Sequence, residues 1–331
     1  MNIDNARALK ASLLTSTMKS MKAPTTLRAL GVRAQAAGAE KEPIRTMAIG
    51  IARSGKQHTI AIRVQHRGLL NHPTIQDMRK KAKGEVDVRY VGRLIKLETP
   101  ATLQKRRRPL VIGCSIGHFA ITAGTLGCFV TDRKTKVTLI LSNNHVLANE
   151  NGAKKGDAII QPGDFDGGKR PKDVVAKLRT FVTLKPNATN IVDCAVATPA
   201  KKIDFNSHQL GSFGALAGLR ATIVDEGTVV RKVGRTTGET SGRVTAFELD
   251  NVVVGYDIGN LRFDDQIEIE GAGTGPFSDG GDSGSLIVDA DRMAVALLFA
   301  GGDNGGTNGM GLTYGNPIHS VLDALKVDLL T

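Results

Sequence analysis

GGDSGSLIV, residues 280–288, places a serine in a glycine-rich turn that runs directly into an apolar strand. Glycine reaches φ > 0 without steric cost, so any tight loop favours such a composition. The reading of the whole chain turns on Ser283. A nucleophilic serine needs a base within hydrogen-bond reach, a group that orients the base, and backbone N–H donors aimed at the developing oxyanion. The remaining sequence has to supply those parts, or Ser283 is only a small residue in a turn.

Two other stretches offer them. In LILSNNHVLA (139–148) an apolar run ends in polar residues and presents His145. A lone histidine is more often structural than catalytic, so it counts only in company. In TNIVDCAVA (189–197) Asp193 interrupts an apolar run. A carboxylate there costs several kcal/mol of desolvation unless something pairs with it, which makes a partner expected. His145 and Asp193 lie 48 residues apart, and Asp193 and Ser283 lie 90 apart.

The surroundings of all three are rich in short β runs. VTLILSNN, DVVAKLRTFVTL, GTVVRKVG, GRVTAFEL, QIEIEG, SLIVD and AVALLFAGG are separated by Gly, Asn and Asp turns. Without long intervening helices, such a series predicts a β-barrel or sandwich over 111–331. NPIHSVLDALKV closes the chain, with Ile318, Val321, Leu322 and Leu325 on one helical face. Ahead of this domain, MAIGIARSG and HTIAIRVQ alternate as two strands. HPTIQDMRKKAKG has helical period, with His72 or Thr74 near its start and Gly84 at its end, and EVDVRYVGRLIKL alternates again. These predict a small β-β-α-β unit over 46–98, joined by a basic linker, 99–110, that includes KRRRP. Residues 1–45 are basic with weak helical periodicity and read as a partly disordered segment.

With 331 residues, 41% of them hydrophobic, the chain can bury a sizeable core; 4% aromatics, no Trp and 38 Gly suit many turns between short strands. The net charge of +12 is unevenly placed: residues 1–110 carry 23 Lys and Arg against 7 Asp and Glu, while 111–331 carry 21 against 25. The basic part suits an acidic partner, nucleic acid or anionic lipid, or serves only as a solvated face; no nucleic-acid motif or aromatic interleaving accompanies it. Three cysteines, Cys114, Cys128 and Cys194, form no even framework and no metal-like spacing, which fits a reducing compartment. No signal-peptide core and no membrane-length apolar run is present, so the expectation is a soluble cytoplasmic protein. No metal or cofactor is called for.

His, Asp and Ser in that order, within a β-rich domain, resemble the chymotrypsin/trypsin-like serine proteases. SNNHVLA is similar to that family's T-A-A-H-C segment, DCAVA to its D-I-A-L segment and GDSGS to its G-D-S-G-G segment. VRKVGRTTGETSGRVTAF (230–247) is similar to the R-S-G-x-T-T-G-x-x-x-G-T-V segment of the streptogrisins and α-lytic protease, and FAGGDNGGTNGMGLTYGNPI to their T-S-G-G…G-G-T-T-x-x-Q-P-V segment. GCSIGHFAITAGTLGCFV also resembles the bacterial trypsin-like group that includes the plant narrow-leaf proteins, in which a small α/β domain precedes the protease.

The resemblance covers 111–331 well and 46–98 loosely. It implies a mainly β fold of two antiparallel six-stranded barrels, His145 and Asp193 from the first and Ser283 from the second. It implies a serine endopeptidase acting on protein or peptide substrates, with Ser283 as nucleophile, His145 as base, Asp193 as orienter, and the N–H groups of Gly281 and Ser283 as oxyanion hole. By the same likeness Phe277 lies at the base of the specificity pocket, and Ala300, Gly301 and Gly302 form the substrate-binding strand. Ala300 replaces the family's serine, so weaker support for Asp193 is expected. Asp282 is expected to pair with Lys232, with Arg231 adjacent, making the protein competent without N-terminal cleavage and residues 1–100 dispensable for hydrolysis. Two rivals stay open: a trypsin-like binding module of weak or no activity, and a partner- or nucleic-acid-binding protein working through the basic N-terminal region.

Overall fold

The computed structural model describes residues 1–21, 47–55, 57–91, 102–222 and 224–331. The readings made on 22–46 and 92–101, including the end of the β-β-α-β run and the start of the linker, lie outside the described residues. The architecture is mainly β, with two barrels of chymotrypsin-like plan preceded by an α/β unit.

The first barrel contains β4 (Ser115–His118), β5 (Cys128–Asp132), β6 (Thr138–Ser142), β7 (Ala158–Ile160), β8 (Val174–Phe181) and β9 (Ala195–Pro199). They pair in the order β5-β6-β9-β8-β7-β4, and the terminal strand β18 (Val327–Leu329) adds to β5. This sheet curls without closing its ladder, so the first of the two expected six-stranded barrels is a half-barrel. Ile116, Phe129, Leu139 and Leu141 fill it. The second barrel contains β10 (Val229–Gly234), β11 (Gly238–Asp250), β14 (Gln266–Gly271), β15 (Leu286–Asp289), β16 (Met293–Gly302) and β17 (Leu312–Pro317). Its order is β10-β15-β16-β17-β14-β11, and β11 pairs again with β10, closing the ring. Between β11 and β14 stands a hairpin, β12 (Val252–Tyr256) and β13 (Gly259–Phe263). The C-terminal helix (Ile318–Leu325) buries Ile318, Val321, Leu322 and Leu325 in the first barrel's core, on the face its sequence marks as apolar.

The N-terminal unit is part of the same sheet system. β1 (Met47–Ser54) pairs with β2 (Gln57–Val64), β2 runs parallel to β3 (Val86–Tyr90), and β1 also pairs with β11. The helix Pro73–Lys81 connects β2 to β3, with Thr74 N donating to the capping His72 ring and Pro73 at its first turn. Residues 3–21, read from sequence as part of a loose segment, form a helix, α1 (Ile3–Met21), whose Ala6 and Leu13 are fully buried.

Both faces of β1 and β2 are covered, which explains their residue choice. Met47, Ile49, Ile60, Ile62 and Val64 pack under the helices with Leu13, Ile75 and Met78. Ala48, Ala52 and Ala61 join the cluster at the barrel side, where small residues let the sheet approach. At Gly50 a Cβ would collide with Leu249. Arg63, on β2, is 1% exposed and its Nε donates to Glu268 of β14 at 2.8 Å. Tyr314 Oη and Thr245 Oγ1 complete that carboxylate's hydrogen bonds, at 3.1 and 2.8 Å. Removing one partner of such a buried pair costs about 3–5 kcal/mol.

Candidate active site

β6 delivers the first group. Leu139, Ile140 and Leu141 are fully buried, and the strand runs into two buried asparagines, Asn143 and Asn144, whose amides bond neighbouring segments. Asn143 Nδ2 donates to Asp193 O at 2.7 Å, and Asn144 Nδ2 donates to Val182 O at 2.7 Å. This fixes a single turn of helix (Asn144–Leu147) that carries His145.

His145 Nδ1 lies 2.5 Å from Asp193 Oδ2. The carboxylate can only accept, so Nδ1 carries a proton, and in the neutral imidazole that leaves the lone pair on Nε2. Asp193 is fully buried and fully satisfied. Its Oδ1 accepts from Asn144 N at 2.6 Å and His145 N at 3.3 Å, and its Oδ2 also accepts from Tyr256 Oη at 2.7 Å. Burial and the neighbouring Asp193 hold the Tyr256 hydroxyl well above the ordinary tyrosine range, so it stays a donor. The expected weakening of Asp193 support is therefore corrected: Ala300 lacks the hydroxyl, and Tyr256, at the tip of β12, provides one. Nothing in VVVGYDIG announces this, because hairpin length, not residue pattern, brings Tyr256 to Asp193. Asn316 Oδ1 accepts from Asp193 N at 2.9 Å, tying the aspartate to β17 of the second barrel.

Ser283 and His145 line one cleft of about 330 Å³, together with Gly281, Ala120, Ile121, Thr122, Ala123, Val146, Asn149, Glu150 and Asp257. Among the described residues no hydrogen bond joins Ser283 Oγ to His145. The turn ahead of Ser283 is held through its carbonyls. Thr236 Oγ1 donates to Gly280 O, Thr125 Oγ1 donates to Gly281 O at 2.8 Å, and Thr125 N donates to Ser283 O at 2.8 Å. Among the described residues the N–H groups of Gly281 and Ser283 donate to nothing. Gly281 has φ +84, a conformation that favours glycine.

Asp282 points away from the cleft. It accepts from Thr236 N (2.9 Å), Thr237 N (3.2 Å), Thr237 Oγ1 (2.6 Å) and Asp279 N (3.0 Å), and Lys232 Nζ lies 3.2 Å from its Oδ2 with both side chains fully buried. Burial lowers the lysine's pKa against the opposing pull of Asp282. Arg231 does not share this role. Successive residues of a strand face opposite sides, and its guanidinium sits over the Phe213 ring, 5.4 Å from the centroid. Phe277 does not line the cleft that holds Ser283: its side chain is 1% exposed, in the second barrel's core cluster with Val244, Ile269 and Ile287. The barrel interior takes the apolar ring. The neighbouring hydroxyls of Ser278 and Thr313 pair at 2.6 Å instead. Ala300, Gly301 and Gly302 are buried along the end of β16, with Gly301 opposite Thr313 and Gly302 opposite Leu312.

Cys114, Cys128 and Cys194 are free and buried, and burial pushes Cys114 to about 11 and Cys128 to about 12. Among the described residues no cluster suits a metal ion, and no helix is long and apolar enough to cross a membrane.

No protein-family model matches the chain, and no curated protein matches it in sequence. Among solved structures it is similar to Thermobifida fusca protease A (16% identity, TM-score 0.47, covering 67% of this chain and 98% of that one). It is similar also to Nocardiopsis protease (15%, 0.47, 67% and 99%) and to Cellulomonas bogoriensis chymotrypsin (17%, 0.46, 67% and 98%).

Proposed function

We propose that this protein is a serine endopeptidase in which Ser283, His145 and Asp193 act as a triad on protein or peptide substrates. The observation that supports this best is the state of Asp193. A buried carboxylate with four donors, one of them His145 Nδ1, fixes the imidazole of a histidine that lines the same cleft as Ser283.

The chemistry follows from these positions. Ser283 Oγ attacks the scissile carbonyl carbon while His145 Nε2 takes the hydroxyl proton; Asp193 stabilises the imidazolium so formed. The carbonyl oxygen, now an anion, is met by the unused N–H groups of Gly281 and Ser283, each worth roughly 3 kcal/mol. His145 then returns the proton to the leaving amine, and water hydrolyses the acyl-serine by the same route. Lys232 and the 236–237 turn already occupy Asp282, so the oxyanion turn is held without a newly cut N-terminus.

A fluorophosphonate probe should label Ser283 in the full chain, and Ser283→Ala should lower kcat by about 10⁴ or more with folding intact. Undiminished proteolysis in a folded Ser283→Ala protein ends this reading. The open Ser283–His145 link favours one alternative, a module that holds a peptide without cutting it. Peptide binding without labelling or turnover is its signature. Catalytic hydrogen bonds in ligand-free sites are often long, which is why the first reading is preferred.

A further inference from the structure

A glycine turn that serves as an oxyanion hole has a weakness. Gly280 and Gly281 offer no side chain to lock their peptide, and a rotation of that peptide would put a carbonyl where the N–H must be. Something outside the turn has to hold it. The loop Gly234–Gly238, between β10 and β11, lies directly against it. A Cβ at Gly281 would collide with Arg235 Nη1 and fall 2.8 Å from Thr236 Oγ1, so the guanidinium packs flush on the Gly281 α-carbon.

Arg235 reaches there because it is anchored in the other barrel. Its Nη2 donates to Asp166 Oδ1 at 2.6 Å, with side-chain exposures of 3% and 2%. Asp166 belongs to the loop between β7 and β8, and its Oδ2 accepts from Ser115 Oγ at 2.5 Å. Phe165 N donates to Thr122 O at 3.0 Å, joining the same loop to the cleft wall. The Arg235 backbone N–H donates to Thr125 Oγ1 at 3.1 Å, which leaves that hydroxyl's own proton for Gly281 O. Arg235 Nε is buried without a hydrogen-bond partner. A buried guanidinium with an unused donor is costly where only stability is at stake.

We propose that Arg235 is a positioning residue of the oxyanion hole and Asp166 its anchor in the opposite barrel. This rests on the serine-protease reading. The pair holds the two walls of the cleft in register and blocks rotation of the Gly280–Gly281 peptide, so it acts on the transition state through Gly281 and leaves substrate binding largely unaffected.

The test uses the full chain, with active sites titrated by fluorophosphonate so that rates refer to folded molecules. Arg235→Gln should lower kcat by roughly 10- to 100-fold, short of or equal to the loss of one oxyanion donor, with KM within about twofold. Affinity for a peptide boronate, which forms a tetrahedral adduct, should fall by a similar factor, and Arg235→Lys should recover part of it. Asp166→Asn leaves Arg235 in place and decides the matter if Arg235→Gln does not fold; its kcat should fall in the same direction. An unchanged kcat per titrated site in folded Arg235→Gln, or in Asp166→Asn, overturns the proposal while leaving the protease reading intact. A wild-type chain that neither labels nor cleaves removes both.

Discussion

Tyr256 shows how a single hydroxyl can substitute for a missing one. Asp193 Oδ2 accepts from the imidazole and from Tyr256 Oη, and the ring of Tyr256 meets that of His145 edge-on at 5.8 Å. Tyr256→Phe removes the hydrogen bond and keeps the packing. A hydrogen bond to a charged group contributes about 1.5–3 kcal/mol, so the variant should be less stable by that amount and lose kcat by roughly tenfold with KM little altered. Calorimetry together with steady-state kinetics checks both. A Tyr256→Phe protein indistinguishable from wild type would show that the other three donors suffice.

At the scale of the element, the turn between β10 and β11 carries most of what the site needs. Lys232 at its start and Thr236 and Thr237 within it surround Asp282, and Lys232→Met should destabilise by about 3–5 kcal/mol because the aspartate stays buried without its cation. The pair also sets an alkaline limit. Burial lowers the lysine's pKa, so the ammonium is lost, and with it the hold on Asp282, at a pH below the ordinary lysine range. In that window the unfolded chain binds the proton more tightly than the folded one, so this lysine's own contribution to stability rises with pH. Activity should therefore fall on the alkaline side before circular dichroism reports any unfolding; simultaneous loss of both contradicts the assignment. The sequence made part of this element legible. Spacing and likeness picked out Lys232, Asp282 and the order His145, Asp193, Ser283, and period-2 alternation marked the strands. Arg231 went astray because a motif match does not say which face of a strand a side chain takes, and Phe277, in the loop between β14 and β15, because it does not say whether a loop side chain turns into the barrel. Tyr256, Arg235 and Asp166 were invisible because loops distant in sequence bring them together.

Across the whole molecule, the N-terminal unit is built into the second barrel. The sequence alone suggested that residues 1–100 could be removed without loss of hydrolysis. The structure argues otherwise, since removal uncovers the β11 edge and takes Arg63 away from the Glu268 carboxylate. A chain beginning near residue 102 should be insoluble or melt about 6–20 °C below the full protein, given the 3–5 kcal/mol of a broken buried pair and the 2–4 °C per kcal/mol of domains this size. Equal melting temperatures with full activity would reduce the seam to a surface contact. The same β1–β11 ladder also has a history in time. Ile49 lies opposite Asp250, so β1 leaves the ribosome some 200 residues before the strand that covers it. At about 5–20 residues per second it waits roughly 10–40 s with an edge unpaired and Arg63 without its carboxylate. Until the second barrel is made, β1 and β2 are exposed to mispairing and suited to capture by a chaperone.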